Sequence, residues 1–89
     1  MSYQLRPVQR VEDELARLLK RDKVVYKQIL KKLEKIAENP YTSGKWMHGG
    51  YAGIREIHLL HGRFVLMFKI DEKAQVVSLV NLEPHPEKY

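Results

Sequence analysis

Apolar residues near the start of the chain recur every three or four positions, which is the period of an amphipathic helix. The first such run consists of Val11, Leu15, Leu18 and Leu19. Residues 21–23 are all charged and interrupt this apolar pattern. Asp22 lies within the interruption and is of a type that caps a following helix.

The helical pattern then resumes and runs towards residue 37. Its apolar positions are Val25, Ile29, Leu33 and Ile36, flanked by Tyr26, Leu30 and Ala37. Asn39 and Pro40 end it, because proline cannot continue a helix. This predicts two amphipathic helices packed antiparallel; one long bent helix is the alternative, and we prefer two.

The segments that flank the two helices differ in character. Residues 3–6 end at Pro7, which has no amide donor, and predict a brief edge strand. Residues 41–53 include Gly44, Gly49, Gly50 and Gly53 and predict a loop.

Three further strands are predicted after this loop. They cover residues 54–60, 64–70 and 75–82, with turns at His61-Gly62 and at residues 71–73. The middle strand, FVLMFKI, is almost entirely apolar. We therefore expect it to be central and buried on both faces.

The element order β-α-α-β-β-β predicts an α+β fold over a single domain, residues 1–89. Two N-terminal helices would cover one face of a small antiparallel or mixed four-stranded sheet. The other face of the sheet would then stay partly open, so that strand and loop residues could line a groove there.

The composition narrows the classes of function. The 89 residues carry a net charge of +5, with a sequence pI near 9.6, which favours polyanionic partners. The absence of cysteine excludes disulfides and thiol chemistry. We see neither an apolar run near 18 residues nor a signal peptide, so we expect a cytoplasmic protein with no membrane partner.

Strand alternation places Glu56 and His58 on one face, about 7 Å apart, where the carboxylate could orient the imidazole. An exposed polar pair is the competing interpretation. We expect no metal, because the histidine spacing fits no zinc motif and His58 and His61 fall on opposite strand faces. Neither a serine triad nor a glycine-rich phosphate loop is present.

A basic stripe runs along the predicted helices. It consists of Lys20, Lys23, Lys27, Lys31 and Lys35, mostly four residues apart. We interpret it first as a solvated face that Glu34 and Glu38 partly balance, with a phosphate-binding stripe as the alternative.

The remaining cations and imidazoles would lie near the open groove. They are Lys45, His48, Arg55, His58, Arg63 and His85. Such a set suits RNA cleavage by the 2′-hydroxyl, which needs a base, an acid and cations around the reacting phosphate. We therefore expect no cofactor. The roles of His48 and His61 stay open.

The sequence resembles the RelE superfamily of toxins from toxin–antitoxin systems, and within it the YafQ-type branch. The resemblance rests on three stretches: Lys45-Trp46-Met47-His48-Gly49 with Gly53-Ile54-Arg55-Glu56-Ile57-His58, the apolar FVLMFKI, and the terminal NLEPHPEKY. It covers essentially the whole chain. It implies a RelE-like fold and a ribosome-dependent endoribonuclease that cuts mRNA in the A site and is silenced by an antitoxin, here an acidic one.

The resemblance also implies roles for single residues. It makes His85 the candidate general acid, His58 a base or phosphate contact, and Lys45 a phosphate contact. Tyr89 would stack on a base. Arg63 stands where the branch has an acidic residue and resembles an arginine of RelE proper.

Other residues of the resembling segments are ambiguous. His48 and Arg55 are candidate RNA contacts, although Arg55 would face away from His58 and a structural role is its alternative. Glu56 would orient His58. Glu83 adds a negative charge close to His85, while Pro84 and Pro86 restrict the backbone on either side of it.

The sequence leaves two other functions open. A RelE-like module that binds an antitoxin-like partner or RNA without cleavage is the main alternative. A DNA-binding repressor is less favoured, because the two helices lack a short glycine-containing turn between them.

Overall fold

Two α-helices and five β-strands form the part of the chain that the structure, a computed structural model, describes: residues 2–42, 45–46 and 53–84. In chain order they are β1 (Gln4–Pro7), α1 (Gln9–Arg21), α2 (Lys23–Glu38), β2 (Lys45–Trp46), β3 (Ile54–Leu59), β4 (Phe64–Asp71) and β5 (Val76–Pro84). The predicted α+β fold class is confirmed, with its order of two helices and four longer strands.

One residue, Asp22, separates the two helices, which confirms the preference for two over one. Its side chain accepts a hydrogen bond from the Val25 amide at 3.1 Å, while its own amide donates to the Leu18 carbonyl at 2.8 Å. Asp22 therefore caps α2 and closes α1 at the same time. The second helix ends at Glu38, next to Asn39 and Pro40, as predicted.

The buried stripe of α2 matches the predicted apolar positions. Val25, Ile29, Leu33 and Ile36 are all buried. On α1 the prediction was wrong for Leu19, which is 44% exposed. Successive residues of a helix point about 100° apart, so Leu18 takes the core position and turns Leu19 towards solvent.

The sheet has the strand order β1-β5-β4-β3-β2. The predicted central strand is β4, with Phe64, Val65, Leu66 and Phe68 buried. The predicted edge strand is β1, which pairs with β5 in parallel, whereas the other neighbours are antiparallel. The sheet is therefore mixed.

The predicted loop over residues 41–53 was partly wrong. A 3₁₀ turn, Pro40–Thr42, follows α2, and Lys45 and Trp46 form the short strand β2. They pair with Glu56 and Arg55 of β3, which offers backbone donors and acceptors to the incoming chain. Residues 43–44 and 47–52 lie outside the described residues.

A β-bulge in β5 decides which side chains share a face. Met67 lies opposite Asn81 and Phe68 opposite Leu79, so Val80 is an extra residue on β5. The bulge shifts the strand's alternation by one position. As a result Leu82 joins the core together with Leu79, and Asn81 and Glu83 point to the other face.

The hydrophobic core lies between the helices and one face of the sheet. It joins helix residues to Leu59, Leu66, Phe68, Val77, Leu79 and Leu82 of the strands. No described helix covers the opposite face. Neither helix is long and apolar enough to cross a membrane, over the residues that the structure describes.

Candidate functional site

The face of the sheet opposite the helices carries rows of side chains set by the strand register. His58, Val65 and Glu83 lie directly opposite one another on β3, β4 and β5. Neighbouring strands are about 4.8 Å apart, so the backbones at His58 and Glu83 are about 10 Å apart. His58 is exposed and Val65 is only 7% exposed. An imidazole and a carboxylate therefore flank a buried valine on this face.

The next row, one pleat away, contains Glu56, Met67 and Asn81, and Lys45 of β2 lies opposite Glu56 in the register. Glu56 is half-buried and shares its strand face with His58, about 7 Å away along the strand. The register thus brings together the strand positions predicted for His58, Glu56 and Lys45.

A cleft of about 640 Å³ opens between α2 and the end of β3. Its cationic and titratable lining residues are Lys31, Lys32, Lys35, His58, His61 and Arg63. None of the described residues that line it is acidic, and the apolar part of this lining comes from Ile57, Leu59 and Leu60. His58 lines this cleft and also belongs to the open face of the sheet.

The turn that carries His61 into the cleft has an uncommon backbone. Leu60 and His61 have φ angles of 51° and 59°, and Gly62 follows at 88°. Glycine adopts this left-handed region freely, but a residue such as leucine does so at a cost of about 1–2 kcal/mol. The turn is held by hydrogen bonds from the Gly62 amide to the Leu59 carbonyl and from the Arg63 amide to the Leu60 carbonyl.

Arg55 lies away from the cleft and from His58. It is 7% exposed, and its Nη2 donates to the Tyr41 carbonyl at 3.1 Å. Such burial contradicts the predicted RNA contact and favours the structural alternative. Alternation along β3 explains the difference, because neighbouring residues of a strand point to opposite faces.

Several predicted site residues are not described. His48, His85 and Tyr89 lie outside the described residues, and of Lys45 the structure describes the backbone pairing. Their predicted roles stay predictions. Arg63 is described: it is exposed and lines the same cleft as His58.

The sequence interpretation missed the cationic wall that α2 gives to this cleft. The sequence pattern favours a solvated face for Lys31 and Lys35, and the predicted stripe does not include Lys32. The signal was present in the spacing of Gln28, Lys31, Lys32 and Lys35, which follow one another at helical intervals on one side of α2. What the spacing leaves open is which strand that side faces.

A second polar cluster lies at the β4–β5 turn. The hydroxyls of Tyr3 and Tyr41 both donate to Glu72 Oε1, at 2.6 and 2.8 Å. These bonds raise the pKa of Tyr3 and raise that of Tyr41 to about 12, and they lower the pKa of Glu72. The cluster joins the N-terminal segment and the 3₁₀ turn to the β4–β5 turn.

Metal ligands do not cluster in the described ranges. Among residues 2–42 and 53–84, no group of three or more histidine, aspartate or glutamate side chains is placed to hold an ion.

Comparison with known proteins agrees with this architecture. No protein-family model matches the chain. A Methanocaldococcus jannaschii protein that is named as a toxin, RelE4, is 32% identical over 98% of this chain and 90% of its own length. The chain belongs to the RelE toxin family.

Solved RelE structures share the fold. Isolated Escherichia coli RelE aligns over 98% of this chain and 88% of its own, with a TM-score of 0.81 and 21% identity. RelE in the RelBE2 toxin–antitoxin complex of Mycobacterium tuberculosis aligns over 96% of this chain and 93% of its own, with a TM-score of 0.79 and 16% identity. Pyrococcus horikoshii RelE, solved with RelB, aligns over 98% of this chain and 99% of its own, with a TM-score of 0.70 and 17% identity. None of these comparisons tests the predicted closeness to the YafQ-type branch, which stays a prediction.

Proposed function

We propose that this RelE-family chain is the toxin of a type II toxin–antitoxin system and acts as an endoribonuclease on mRNA in the ribosomal A site. The observation that supports this most is the position of His58. It is exposed and lines a cleft whose other described charged or titratable residues are cationic or imidazole, and it shares a sheet face with Glu56. That setting suits a proton-transfer group beside a bound phosphate.

The proposed reaction needs no redox partner or cofactor. The 2′-oxygen attacks the adjacent phosphorus while a base removes the 2′ proton. The bond from phosphorus to the 5′-oxygen breaks, and an acid protonates that oxygen. The products are a 2′,3′-cyclic phosphate and a 5′-hydroxyl, so atoms and charge balance. Cations near the phosphoryl oxygens stabilise the charge that builds up in the transition state.

We assign the residues as follows. His58 acts as base or phosphate contact and Glu56 orients it. His85 acts as general acid, between Pro84 and Pro86, which restrict its backbone. Lys45, Arg63 and His48 bind or neutralise phosphate, and Tyr89 stacks on a base. Arg55 has no place in this set, because it is buried.

The proposed protein partner is an acidic antitoxin. A net charge of +5 favours association with a polyanionic chain, and RelE of M. tuberculosis, E. coli and P. horikoshii has been solved together with its antitoxin. An acidic reading frame adjacent to this one would support the proposal.

Induced expression tests the proposal. We expect growth to stop and 5′ ends to appear within translated codons, as mapped by primer extension. The substitutions His58→Ala and His85→Ala should each lower cutting at least 100-fold, which is the usual loss for a general acid or base. Lys73→Ala removes an exposed charge at the β4–β5 turn and is the control that should still cut.

Two outcomes would contradict this function. Full toxicity of both histidine variants would overturn the assigned mechanism. A folded protein that binds ribosomes but produces no cuts in any codon context would instead favour the non-catalytic binding module. Cutting should persist in EDTA, and its loss there would favour a metal-dependent reaction.

A further inference from the structure

The lysine-bearing side of α2 faces the same cleft as His58, although it is not part of the proposed reaction centre. Gln28, Lys31, Lys32 and Lys35 line the cleft from this helix. All three lysines are exposed, and they extend over just more than one helical turn, about 6 Å from Lys31 to Lys35. They form the charged wall that α2 gives to the cleft.

The opposite wall comes from the end of β3 and the turn after it. His58, His61 and Arg63 line this side. His61 and its neighbour Leu60 have positive φ angles, and backbone strain of this kind is concentrated at functional sites. The strained turn brings His61 and Arg63 to the same cleft of about 640 Å³ that the three lysines line.

The charge of the cleft decides what kind of ligand fits. Lys31, Lys32, Lys35 and Arg63 bring four basic side chains to the cleft, and none of the described residues that line it is acidic. Several like charges that converge on one space repel one another, and a bound polyanion relieves that repulsion. The imidazole of His61 adds a flat ring on which a base can stack.

We propose that this cleft binds the phosphate backbone of single-stranded RNA and so forms an extended substrate track beside the cutting site. The inference rests on the proposed function, because it takes the phosphate at His58 as the one that is cut. The strand runs from His58 along α2, and Lys31, Lys32 and Lys35 contact phosphates on one side of the cut. Arg63 lies at the junction of the track and the reaction centre.

Two charge-matched variants separate local contact from overall charge. The cleft variant carries Lys31→Gln, Lys32→Gln and Lys35→Gln. The control carries Lys20→Gln, Lys23→Gln and Lys27→Gln, which removes one exposed lysine of α1 and two of α2, none of which lines the cleft. Both variants lose the same charge, so a difference between them reports on the cleft alone.

The measurement is fluorescence anisotropy with a labelled, fully 2′-O-methylated RNA of roughly 12 nucleotides, a length within the range of single-strand binding sites. This RNA cannot be cut, since its 2′ oxygens are blocked, so binding is measured even if the chain has no nuclease activity. Each lost phosphate contact lowers the slope of log affinity against log salt by about 0.7 for single strands. We expect the cleft variant to lose about 2 from this slope and roughly tenfold or more in affinity at low salt.

Equal losses in the two variants would overturn the inference, because overall charge would then explain the binding. It would also be overturned if the cleft variant kept its RNA affinity but lost affinity for polyglutamate, which would make the cleft a site for an acidic polypeptide. Failure of the proposed cleavage is seen separately, as an absence of cuts by the wild-type protein on ribosomes.

Discussion

At the scale of single residues, two arginines near the site have opposite surroundings. Arg55 is buried and donates to the Tyr41 carbonyl, whereas Arg63 is exposed and lines the cleft. A buried guanidinium that donates to a carbonyl in a part-buried bond stabilises the fold, because a buried polar group that loses its partner is costly. A guanidinium at the mouth of a cationic cleft can instead contact a ligand.

Substitution of Arg55 should therefore affect stability, whereas substitution of Arg63 should affect RNA binding. Arg55→Ala should lower the free energy of unfolding in urea by about 2 kcal/mol, since it leaves the Tyr41 carbonyl without this donor. Arg63→Ala should change stability by less than about 0.5 kcal/mol, as expected of an exposed side chain, yet weaken RNA binding. The reverse pattern would show that the assignment of the two arginines is wrong.

At the scale of elements, the turn between β3 and β4 has a strained backbone at Leu60 and His61, and its His61 side chain is a candidate RNA contact. His61→Gly should relieve the left-handed backbone and raise the free energy of unfolding by about 0.5–1 kcal/mol. The matched variant His61→Ala also loses the imidazole but retains Cβ, so it should show no such gain. Both should weaken RNA binding to the same extent by anisotropy. If the glycine variant were no more stable than the alanine one, the turn would store no strain.

Elements also differ in how far the sequence could predict them. The stripe from Val25 to Ile36 and the stop at Asn39 are local signals, so the bounds of α2 followed from the sequence. The parallel pairing of β1 with β5 and the bulge at Val80 depend on partners far along the chain. They could therefore not be predicted from local sequence patterns. The uneven spacing of Val77, Leu79 and Leu82 was the one local sign of that bulge.

The same limit applies to the candidate site. Alternation within β3 correctly separated His58 from Arg55, because the period of a strand is a local property. The cationic wall of the cleft could not be predicted in this way. Lys31, Lys32 and Lys35 have the spacing of any solvated helix face, and only the packing of α2 beside the end of β3 places them in the cleft.

At the scale of the whole molecule, the cluster of Tyr3, Tyr41 and Glu72 joins three segments that are distant in sequence. The carboxylate must be charged and the hydroxyls protonated for these hydrogen bonds to form. Because the pKa of Glu72 is lowered, its contribution is complete above the usual carboxyl pKa and is lost as pH falls through the lowered value. Because the pKa of Tyr41 is raised to about 12, its contribution is complete below 10 and is lost as pH rises towards 12.

Thermal unfolding over a range of pH tests this cluster. Glu72→Gln should lower the melting temperature by a constant amount between about pH 5 and pH 10, and the difference from wild type should shrink outside that window. Glu34→Gln, an exposed glutamate of α2, is the control and should show no such dependence. If the difference in melting temperature stayed constant at both extremes of pH, these hydroxyl–carboxylate hydrogen bonds would not contribute to stability.

The central claim is that this RelE-family chain cuts RNA by attack of the 2′-hydroxyl. The most direct measurement uses purified protein, programmed ribosomes and two messages that differ by one 2′-deoxy nucleotide at the mapped cut. We expect the ordinary message to yield a 2′,3′-cyclic phosphate and a 5′-hydroxyl in the presence of EDTA, and the deoxy message to stay intact. Equal cutting of both messages, or a 5′-phosphate at the new end, would contradict the account.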